Sequence, residues 1–338
     1  MSRAPRDASL SREIRHYMRL IAPQLLALVG PHAVPMRSAV APRASAGADI
    51  AANPSLLIVG AGVLGQLVGQ RWRDERGDAL GRVLGVTRRA DAERDAAMRA
   101  CGIEPILRSD LGAAGSHPYV VFCAAPGGND EYAAEVKTAL ESWDSTAAGG
   151  ARFVFTSSAG VYAEQDGGIV TEGSPTAPPT PRTQRLLDAE AAVRDAGGSV
   201  VRLAGLYLLK RGAHNAWLSM GEVSGPADGL INQIHYADAA GAVVAALLRG
   251  EPGEVYIGAD GAPLSREAIC REALRAPQFG DAAMPTFGGG PPKFGGTGRG
   301  KVLDVSATRD ALGWAPRYGT FGDFIDEVVA EAEAASSR

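Results

Sequence analysis

Residues Leu56–Gly65, which read LLIVGAGVLG, decide the fold of this 338-residue chain. The first four residues are a short apolar run, the pattern of a strand buried on both faces of a parallel sheet. Three glycines follow at once with the spacing Gly-x-Gly-x-x-Gly, and Leu67, Val68 and Trp72 then recur at helical spacing up to Arg76. A strand, a glycine turn and a helix in this order predict a dinucleotide-binding turn on a Rossmann-type α/β domain.

Each position of this turn has a physical task. Gly60 permits the tight turn, Gly62 lets a pyrophosphate approach the backbone, and Gly65 lets the helix pack closely on the strand. Val63 and Leu64 open the helix, whose free N–H groups and partial positive charge face the phosphates. The alternative is a glycine-rich turn that binds nothing, and the strand–turn–helix context argues against it.

The second predicted strand, Val83–Val86, ends in Thr87-Arg88-Arg89. Sites for NAD usually place an acidic residue here to hold the ribose 2′-hydroxyl, whereas an arginine suits a 2′-phosphate. The residues between Arg82 and Ala90 include no acid. The sequence therefore favours NADP(H), with NAD(H) as the other possible cofactor, unless the two arginines only open a solvated loop.

Strand and helix patterns continue to alternate along the chain. A helix near 91–101, strands at 103–107 and 119–123, a helix at about 130–147 and a strand at 152–155 predict a doubly wound parallel sheet. Ligands bind such sheets at the carboxyl ends of the strands. This edge carries the glycine turn, Arg88, Asp110, Ala124, Ala125, Pro126 and Ser158.

Composition excludes several classes of function. Hydrophobic residues make up 46% of the chain and charged residues 21%, and the net charge is −4, so there is no global basic field for nucleic acid or an anionic membrane. Aromatic residues, at 6%, are too sparse to indicate a stacking platform for bases. Cys101, Cys123 and Cys270 form no Cys-x-x-Cys pair, which argues against a zinc site and fits a reduced compartment.

The first 52 residues differ from the rest of the chain. They contain seven arginines against three acidic residues and are rich in serine and alanine. This composition is typical of an organelle transit peptide, and the alternative is an ordinary disordered extension. We expect import into the chloroplast, with the mitochondrion as the alternative. The stretch Tyr17–Val29 is too short, and too interrupted by Arg19 and Pro23, to span a membrane, so a soluble protein is expected.

Several later segments, read together, carry a family resemblance over about residues 55–330. Phe155–Tyr162 (FTSSAGVY) looks like a Ser-Ser-x-x-Val-Tyr motif, and Val201–Tyr207 (VRLAGLY) looks like an Arg-x-x-x-x-Tyr strand and loop. Ile234–Ala240 (IHYADAA) resembles an Ile-His-Val-x-Asp-x-Ala helix start, and Lys301–Asp304 and Leu312–Trp314 resemble a C-terminal tail. The chain thus resembles the extended short-chain dehydrogenase/reductase superfamily, the NAD-dependent epimerases and dehydratases.

The resemblance implies a Rossmann domain over residues 53–204 and a smaller C-terminal substrate-binding part, 205–338, interleaved with it. It places Asp110 against adenine, Ala124 and Ala125 along the cofactor channel, and Ser158 at the position of the catalytic serine. The predicted cofactor contacts are Gly60, Gly62, Val63, Leu64, Gly65, Thr87, Arg88, Asp110, Leu111, Ala124, Ala125, Pro126, Ser158 and Leu203. A homodimer formed through paired helices is usual for the superfamily.

One departure from the family pattern concerns its acid. The family uses Tyr-x-x-x-Lys, in which the lysine helps the tyrosine to exchange a proton near neutral pH. No tyrosine of this chain is followed four residues later by a lysine, and the two slots hold residues such as Arg182 and Leu186. Because arginine cannot deprotonate, it cannot replace the tyrosine. The chain therefore resembles an atypical member, with Ser158, Tyr162 and Arg182 as candidate catalytic or substrate-binding residues and Tyr207 as a weaker one.

Three functions remain open at this point. The first is an NADP(H)-dependent reductase or epimerase-like enzyme on a small polar substrate. The second is a non-catalytic NADP(H)-binding sensor or scaffold in the plastid. The third is an RNA-associated role, as in some plastid relatives of the superfamily, and the acidic net charge argues against it.

Overall fold

The structure is a computed structural model that describes residues 55–77, 81–127, 129, 131–148, 150–177, 180–288 and 297–337. The segment predicted to be a transit peptide, residues 1–52, lies outside these ranges. The strands are β1 Leu56–Val59, β2 Val83–Thr87, β3 Glu104–Leu107, β4 Tyr119–Phe122, β5 Arg152–Ser158, β6 Asp166–Val170, β7 Ser199–Leu203, β8 Gly205–Tyr207, β9 Glu222–Val223, β10 Leu230–Ile231, β11 Gln233–His235, β12 Val255–Gly258, β13 Leu264–Ser265, β14 Thr286–Phe287 and β15 Gly300–Leu303.

Helices alternate with these strands through the first half of the chain. They are α1 Val63–Arg76, α2 Ala92–Ala100, α3 Tyr132–Glu141, α4 Pro181–Asp195, α5 Ala213–Met220, α6 Tyr236–Arg249, α7 Arg266–Ala273, α8 Ser306–Leu312 and α9 Phe321–Ser336. Short 3-10 helices lie at Arg108–Ala113, Ala159–Val161 and Pro277–Phe279.

The central sheet has seven parallel strands in the order β12-β7-β5-β4-β1-β2-β3. This is the strand order of a Rossmann sheet, which grows outward in both directions from β1. The predicted fold class, a doubly wound parallel α/β sheet, is confirmed. The edge strand β12 comes from beyond residue 205, so the later part of the chain completes the sheet built by the earlier part.

Strand β1 shows why this sequence folds as it does. All four of its side chains are almost completely buried, and they alternate between two hydrophobic clusters. Leu56 and Ile58 pack with the residues of α1 and α6, whereas Leu57 and Val59 pack with those of α3 and α4. A strand covered by helices on both faces needs apolar residues at every position, which the run LLIV supplies.

A third cluster, with aromatic side chains packed against aliphatic ones, holds the C-terminal part together. Tyr207, Phe321 and Phe324 lie within 4.9–6.3 Å of one another, measured between ring centroids. His235 packs on two of these rings, and its Nδ1 accepts a hydrogen bond from the Ala237 amide at the start of α6. Burial lowers the pKa of His235 to about 3, so this histidine is neutral and begins the helix.

Two element boundaries differ by more than two residues from those predicted. The helix expected at about 130–147 ends at Glu141, because the backbone that follows pairs with His117 instead: the Ser142 carbonyl accepts from the His117 amide at 2.9 Å and the Asp144 amide donates to the His117 carbonyl at 3.0 Å. Strand β5 was expected to stop at residue 155 but continues to Ser158, since its polar last residues pair with β7. Alternation of apolar residues could not reveal a strand end that carries hydroxyl side chains.

A buried ion pair ties helix α4 to the sheet. Arg202 of β7 donates through Nη2 to a Glu190 carboxylate oxygen at 2.6 Å, and the Ser157 hydroxyl donates to the other oxygen at 2.5 Å. The side chains of the ion pair are only 7% and 4% exposed. Each charge is therefore satisfied inside the protein and depends on the other.

We expect Glu190→Ala to destabilise the fold strongly, because it leaves the Arg202 guanidinium buried without its partner. The free energy of unfolding should fall by about 3–5 kcal/mol, as measured by denaturant titration. The control is Glu75→Ala, which removes an exposed helical pair with Arg71 and should cost less than about 1 kcal/mol. Equal, small losses in both variants would contradict the prediction.

Candidate functional site

A cavity of about 910 Å³ opens at the carboxyl edge of the sheet, where β1, β2, β4, β5 and β7 end. It lies beside β1 and β4, the neighbouring strands whose following helices cover opposite faces, which is the topological switch point of this fold. The predicted site residues that line it are Gly60, Gly62, Val63, Leu64, Gly65, Thr87, Arg88, Ala124, Ala125, Pro126, Ser158, Arg182 and Leu203. The structure thus brings together residues spread over more than 140 positions of sequence.

Two predicted cofactor contacts lie outside this lining. Asp110 is exposed in the 3-10 helix after β3, where its carboxylate accepts a hydrogen bond from Ser109 at 2.9 Å. Leu111 is 3% exposed and packs into the second hydrophobic cluster. The contact of Asp110 with adenine and that of Leu111 with the cofactor stay predictions.

The two tyrosines named as candidates are core residues. Tyr162 is 1% exposed; its hydroxyl lies 3.4 Å from the Glu172 carbonyl, and the Arg202 guanidinium stacks 4.7 Å above its ring. Burial raises the pKa of Tyr162, so its phenol stays protonated. Tyr207 is completely buried in the aromatic cluster. Neither residue lines the cavity, so their placement does not support a contact with substrate.

The three glycines of the turn meet different surroundings. Gly60 has φ +93°, and a Cβ on it would lie 2.4 Å from the Ala124 amide nitrogen. A Cβ on Gly65 would lie 2.7 Å from the Gly60 carbonyl oxygen. A Cβ on Gly62 would meet no protein atom within 4 Å, and its backbone is extended (φ −77°, ψ −157°). The fold requires Gly60 and Gly65, whereas the space at Gly62 is left open toward the cavity.

This open space lies at the N-terminus of α1. The helix has no side-chain cap and no acidic residue in its first turn. Its first N–H groups therefore have no partner within the helix and carry its partial positive charge. An anionic group that approaches the Gly62 backbone would meet these donors directly, which fits the pyrophosphate of a dinucleotide.

An acidic residue that the sequence did not reveal lies at the Arg88 end of the cavity. Glu135 of α3 lines the cavity, is 5% exposed, and accepts a hydrogen bond from Arg88 Nη2 at 3.3 Å. The residues between Arg82 and Ala90 include no acid, and Glu135 lies 47 residues beyond Arg88 along the chain. Only the docking of α3 beside β2 brings the two residues together.

A second polar pair that the sequence did not reveal lies in the part of the lining that follows β7. Arg211 donates through Nε to the Tyr236 hydroxyl at 2.9 Å, and its guanidinium lies 5.5 Å from the centre of that ring. Tyr236 is the one tyrosine among the described residues that line the cavity. It belongs to the motif Ile234–Ala240, from which only a helix start was predicted.

Ser158, the last residue of β5, also lines the cavity. Its hydroxyl oxygen accepts a hydrogen bond from the Gly160 amide at 3.1 Å. This bond uses the oxygen as an acceptor, so the hydroxyl proton can still be donated. Ser158 is therefore suited to polarise an oxygen atom of a bound molecule.

Helix α4 is intact, although it contains neither the tyrosine nor the lysine of the family's Tyr-x-x-x-Lys motif. Thr180 begins the helix through reciprocal hydrogen bonds with Thr183. Arg182 is exposed and Leu186 is 3% exposed, and both line the cavity. A permanent cation and an apolar side chain thus form this part of the wall.

Two further observations limit the chemistry of the described residues. Burial raises the pKa of the Cys123 thiol to about 12, so this cavity-lining cysteine is protonated at neutral pH. In the ranges that the structure covers, no group of three or more His, Cys, Asp or Glu side chains is arranged to hold a metal ion.

In the same ranges, no helix is long and apolar enough to cross a membrane.

No protein-family model and no curated protein matches this chain. Solved structures do match. UDP-glucuronic acid 4-epimerase from Bacillus cereus, in complex with NAD, has a TM-score of 0.64 and 16% identity, over 82% of this chain and 99% of that one. The chain has the fold of the NAD-dependent epimerases and dehydratases.

Two more structures show the same fold. The dTDP-glucose 4,6-dehydratase from Bacillus anthracis, in complex with NAD, has a TM-score of 0.63 and 14% identity, over 84% of this chain and 98% of that one. The enzyme WbmG from Bordetella bronchiseptica, in complex with NAD, has a TM-score of 0.61 and 21% identity, over 85% and 96%. Identities this low establish a shared fold, and the function has to be argued from the site.

The different surroundings of the glycines predict different costs of substitution. Gly60→Ala should lower the free energy of unfolding by about 1–3 kcal/mol, because alanine disfavours a positive φ and its Cβ would overlap the Ala124 backbone. Gly62→Ala should change it by no more than about 0.5 kcal/mol, since open space surrounds the added methyl group. Denaturant titration of both variants measures the difference, and a large loss at Gly62 would show that the fold itself needs this glycine.

Proposed function

We propose that this protein binds NADP(H) in preference to NAD(H) and acts as an oxidoreductase or epimerase-like enzyme on a small polar substrate. The observation that carries the proposal is the open space at Gly62, at the uncapped N-terminus of α1 and at the switch point of the sheet. The protein leaves this space empty of its own atoms at the place where a Rossmann fold binds a pyrophosphate.

The remaining lining fits the other parts of a dinucleotide. Arg88, 44% exposed at the end of β2, is suited to bind a ribose 2′-phosphate. Ala124–Pro126 offers small side chains and backbone along the middle of the cavity, and Ser158 and Leu203 lie at the ends of β5 and β7. The cavity volume, about 910 Å³, is within the usual range of cofactor sites. NAD in the neighbouring structures supports the same class of cofactor.

The chain's own residues suggest how a reaction would proceed. A bound nicotinamide supplies or accepts a hydride. The Ser158 hydroxyl would donate a hydrogen bond to the reacting oxygen of the substrate, and the Tyr236 phenol would hold the proton that this oxygen gains or loses. Arg211, which donates to the Tyr236 oxygen, fixes the orientation of the phenol. Arg182, a permanent cation in the wall, would bind a polar or negatively charged part of the substrate.

A second function, a non-catalytic NADP(H)-binding sensor or scaffold, is favoured by one observation. Arg182 and Leu186 line the cavity where the resemblance places the family's tyrosine and lysine. The site could therefore bind the nucleotide without carrying out the family's usual proton transfer. A protein that only senses the cofactor needs the glycine turn and Arg88 but no acid. We further propose that residues 1–52 direct the protein to the chloroplast, an inference from composition alone.

Nucleotide binding is tested by titrating the purified protein with NADPH and NADH and following nicotinamide fluorescence. Gly62→Asp should weaken NADPH binding at least about 100-fold, because it places a carboxylate against the pyrophosphate at the helix N-terminus. The matched control is Gly173→Asp, at an exposed glycine that also has open space around it and lies outside the cavity. Binding by Gly62→Asp equal to that of the control would refute the proposed site.

Catalysis is tested by a panel of carbonyl substrates with NADPH and carbinol substrates with NADP⁺, followed by NADPH absorbance, and by product analysis for an epimerisation that returns the cofactor unchanged. With an active substrate, Tyr236→Phe should lower kcat by about 100-fold or more and leave the NADPH dissociation constant unchanged, since only the phenolic hydroxyl is removed. Tyr162→Phe, at a phenol that does not line the cavity, should change kcat by less than about threefold. Tight NADPH binding without turnover of any substrate would favour the sensor.

A further inference from the structure

The buried carboxylate of Glu135 stands out at the Arg88 end of the cavity. Its side chain is only 6% exposed, yet it belongs to the cavity wall. One of its oxygens accepts from the Asn129 amide at 2.5 Å and from Arg88 Nη2 at 3.3 Å, and lies 3.9 Å from Arg108 Nη1. These three contacts hold the carboxylate in one place against Arg88.

The two partners of the Arg88–Glu135 pair are buried to very different extents. The Arg88 side chain is 44% exposed, whereas that of Glu135 is 6% exposed. A guanidinium has five N–H donors, and only the Nη2 group of Arg88 is engaged with Glu135, so the others can reach a ligand in the cavity. A group bound by Arg88 would therefore lie within a few ångströms of a fixed negative charge.

The carboxylate should affect the two cofactors differently. A ribose 2′-phosphate carries up to two negative charges, which Arg88 attracts and Glu135 repels. A ribose 2′-hydroxyl carries no charge, so the repulsion does not apply to NAD(H). Asp91 and Glu93, which also line the cavity, add to the negative charge at this end, and Arg94 opposes it.

We propose that Glu135 is a specificity-determining residue that sets the preference of this site between NADP(H) and NAD(H) through its pairing with Arg88. The inference rests on the proposed function, because it presupposes that a dinucleotide binds with its 2′ position at Arg88. Glu135 offsets part of the Arg88 charge, which brings the affinities for the two cofactors closer together than Arg88 alone would. Helix α3 thus contributes to a choice usually attributed to the end of β2.

The test is a double-mutant cycle that compares the NADPH and NADH dissociation constants of the full-length protein. Glu135→Gln removes the charge and keeps an oxygen that can accept from Asn129. The preference for NADPH over NADH should then rise by about fivefold or more, as expected for removing one negative charge beside a doubly charged phosphate in a largely aqueous site. In an Arg88→Met background, the same substitution should change the preference by less than about twofold, because no bound phosphate is held near Glu135.

A matched control separates this effect from a general change in charge. Glu141→Gln removes an exposed carboxylate from the end of the same helix and should leave the preference unchanged. A preference that Glu135→Gln does not alter, or an equal loss of affinity for both nucleotides, would show that Glu135 only supports the fold. If wild-type protein binds neither nucleotide, the proposed function falls together with this inference, whereas binding with an unaltered preference refutes this inference alone.

Discussion

The cavity exists because the chain leaves β1 and β4 toward opposite faces of the sheet. Helix α1 packs on the face that receives Leu56 and Ile58, whereas α3 packs on the face that receives Leu57 and Val59. No helix in the described part of the chain then covers the carboxyl edge between the two strands, and a crevice opens there. The Gly60 backbone approaches that of Ala124 in this gap, and only glycine tolerates both its φ of +93° and that contact.

Glu190–Arg202 and Arg88–Glu135 are two ion pairs near this edge that differ in burial. One stabilises the fold, whereas the other can also contact a ligand. Glu190 and Arg202 are both at most 7% exposed, so each satisfies the other and the pair is closed to any ligand. Glu135 is equally buried, but its partner Arg88 is 44% exposed and faces the cavity. Arg88 therefore keeps N–H donors for a ligand, and under our proposal the buried charge of Glu135 changes the affinity of Arg88 for an anionic ligand.

The sequence could predict the parts of this site whose signals are local. The apolar run of β1, the glycine spacing and the arginine after β2 each lie within a few residues, and the doubly wound parallel sheet follows from the regular alternation of strands and helices. Glu135 and Tyr236 could not be recognised as site residues in this way. A glutamate in an amphipathic helix and a tyrosine at a helix start have ordinary patterns, and only tertiary packing turns them toward the cavity. Tyr162 shows the converse, since a motif match named a residue that the fold buries under Arg202.

The remaining question is how a site without the family's acid could exchange a proton. Arg182 offers a guanidinium, a side chain that does not serve as a proton donor or acceptor in catalysis. Burial raises the pKa of the Cys123 thiol to about 12, so this thiol remains protonated at neutral pH. Leu186 has no proton to exchange. Four of the described lining residues near the ends of β5 and β7 carry hydroxyl protons: Thr156, Ser157, Ser158 and Tyr236. Thr156 and Ser157 already donate to the Phe122 carbonyl and the Glu190 carboxylate, whereas the Tyr236 oxygen accepts from the Arg211 guanidinium. A phenol held by a guanidinium is the chemical counterpart of a tyrosine held by a lysine. Under the proposed function, Arg211 in the turn before α5 and Tyr236 at the start of α6 would take the roles of that lysine and tyrosine.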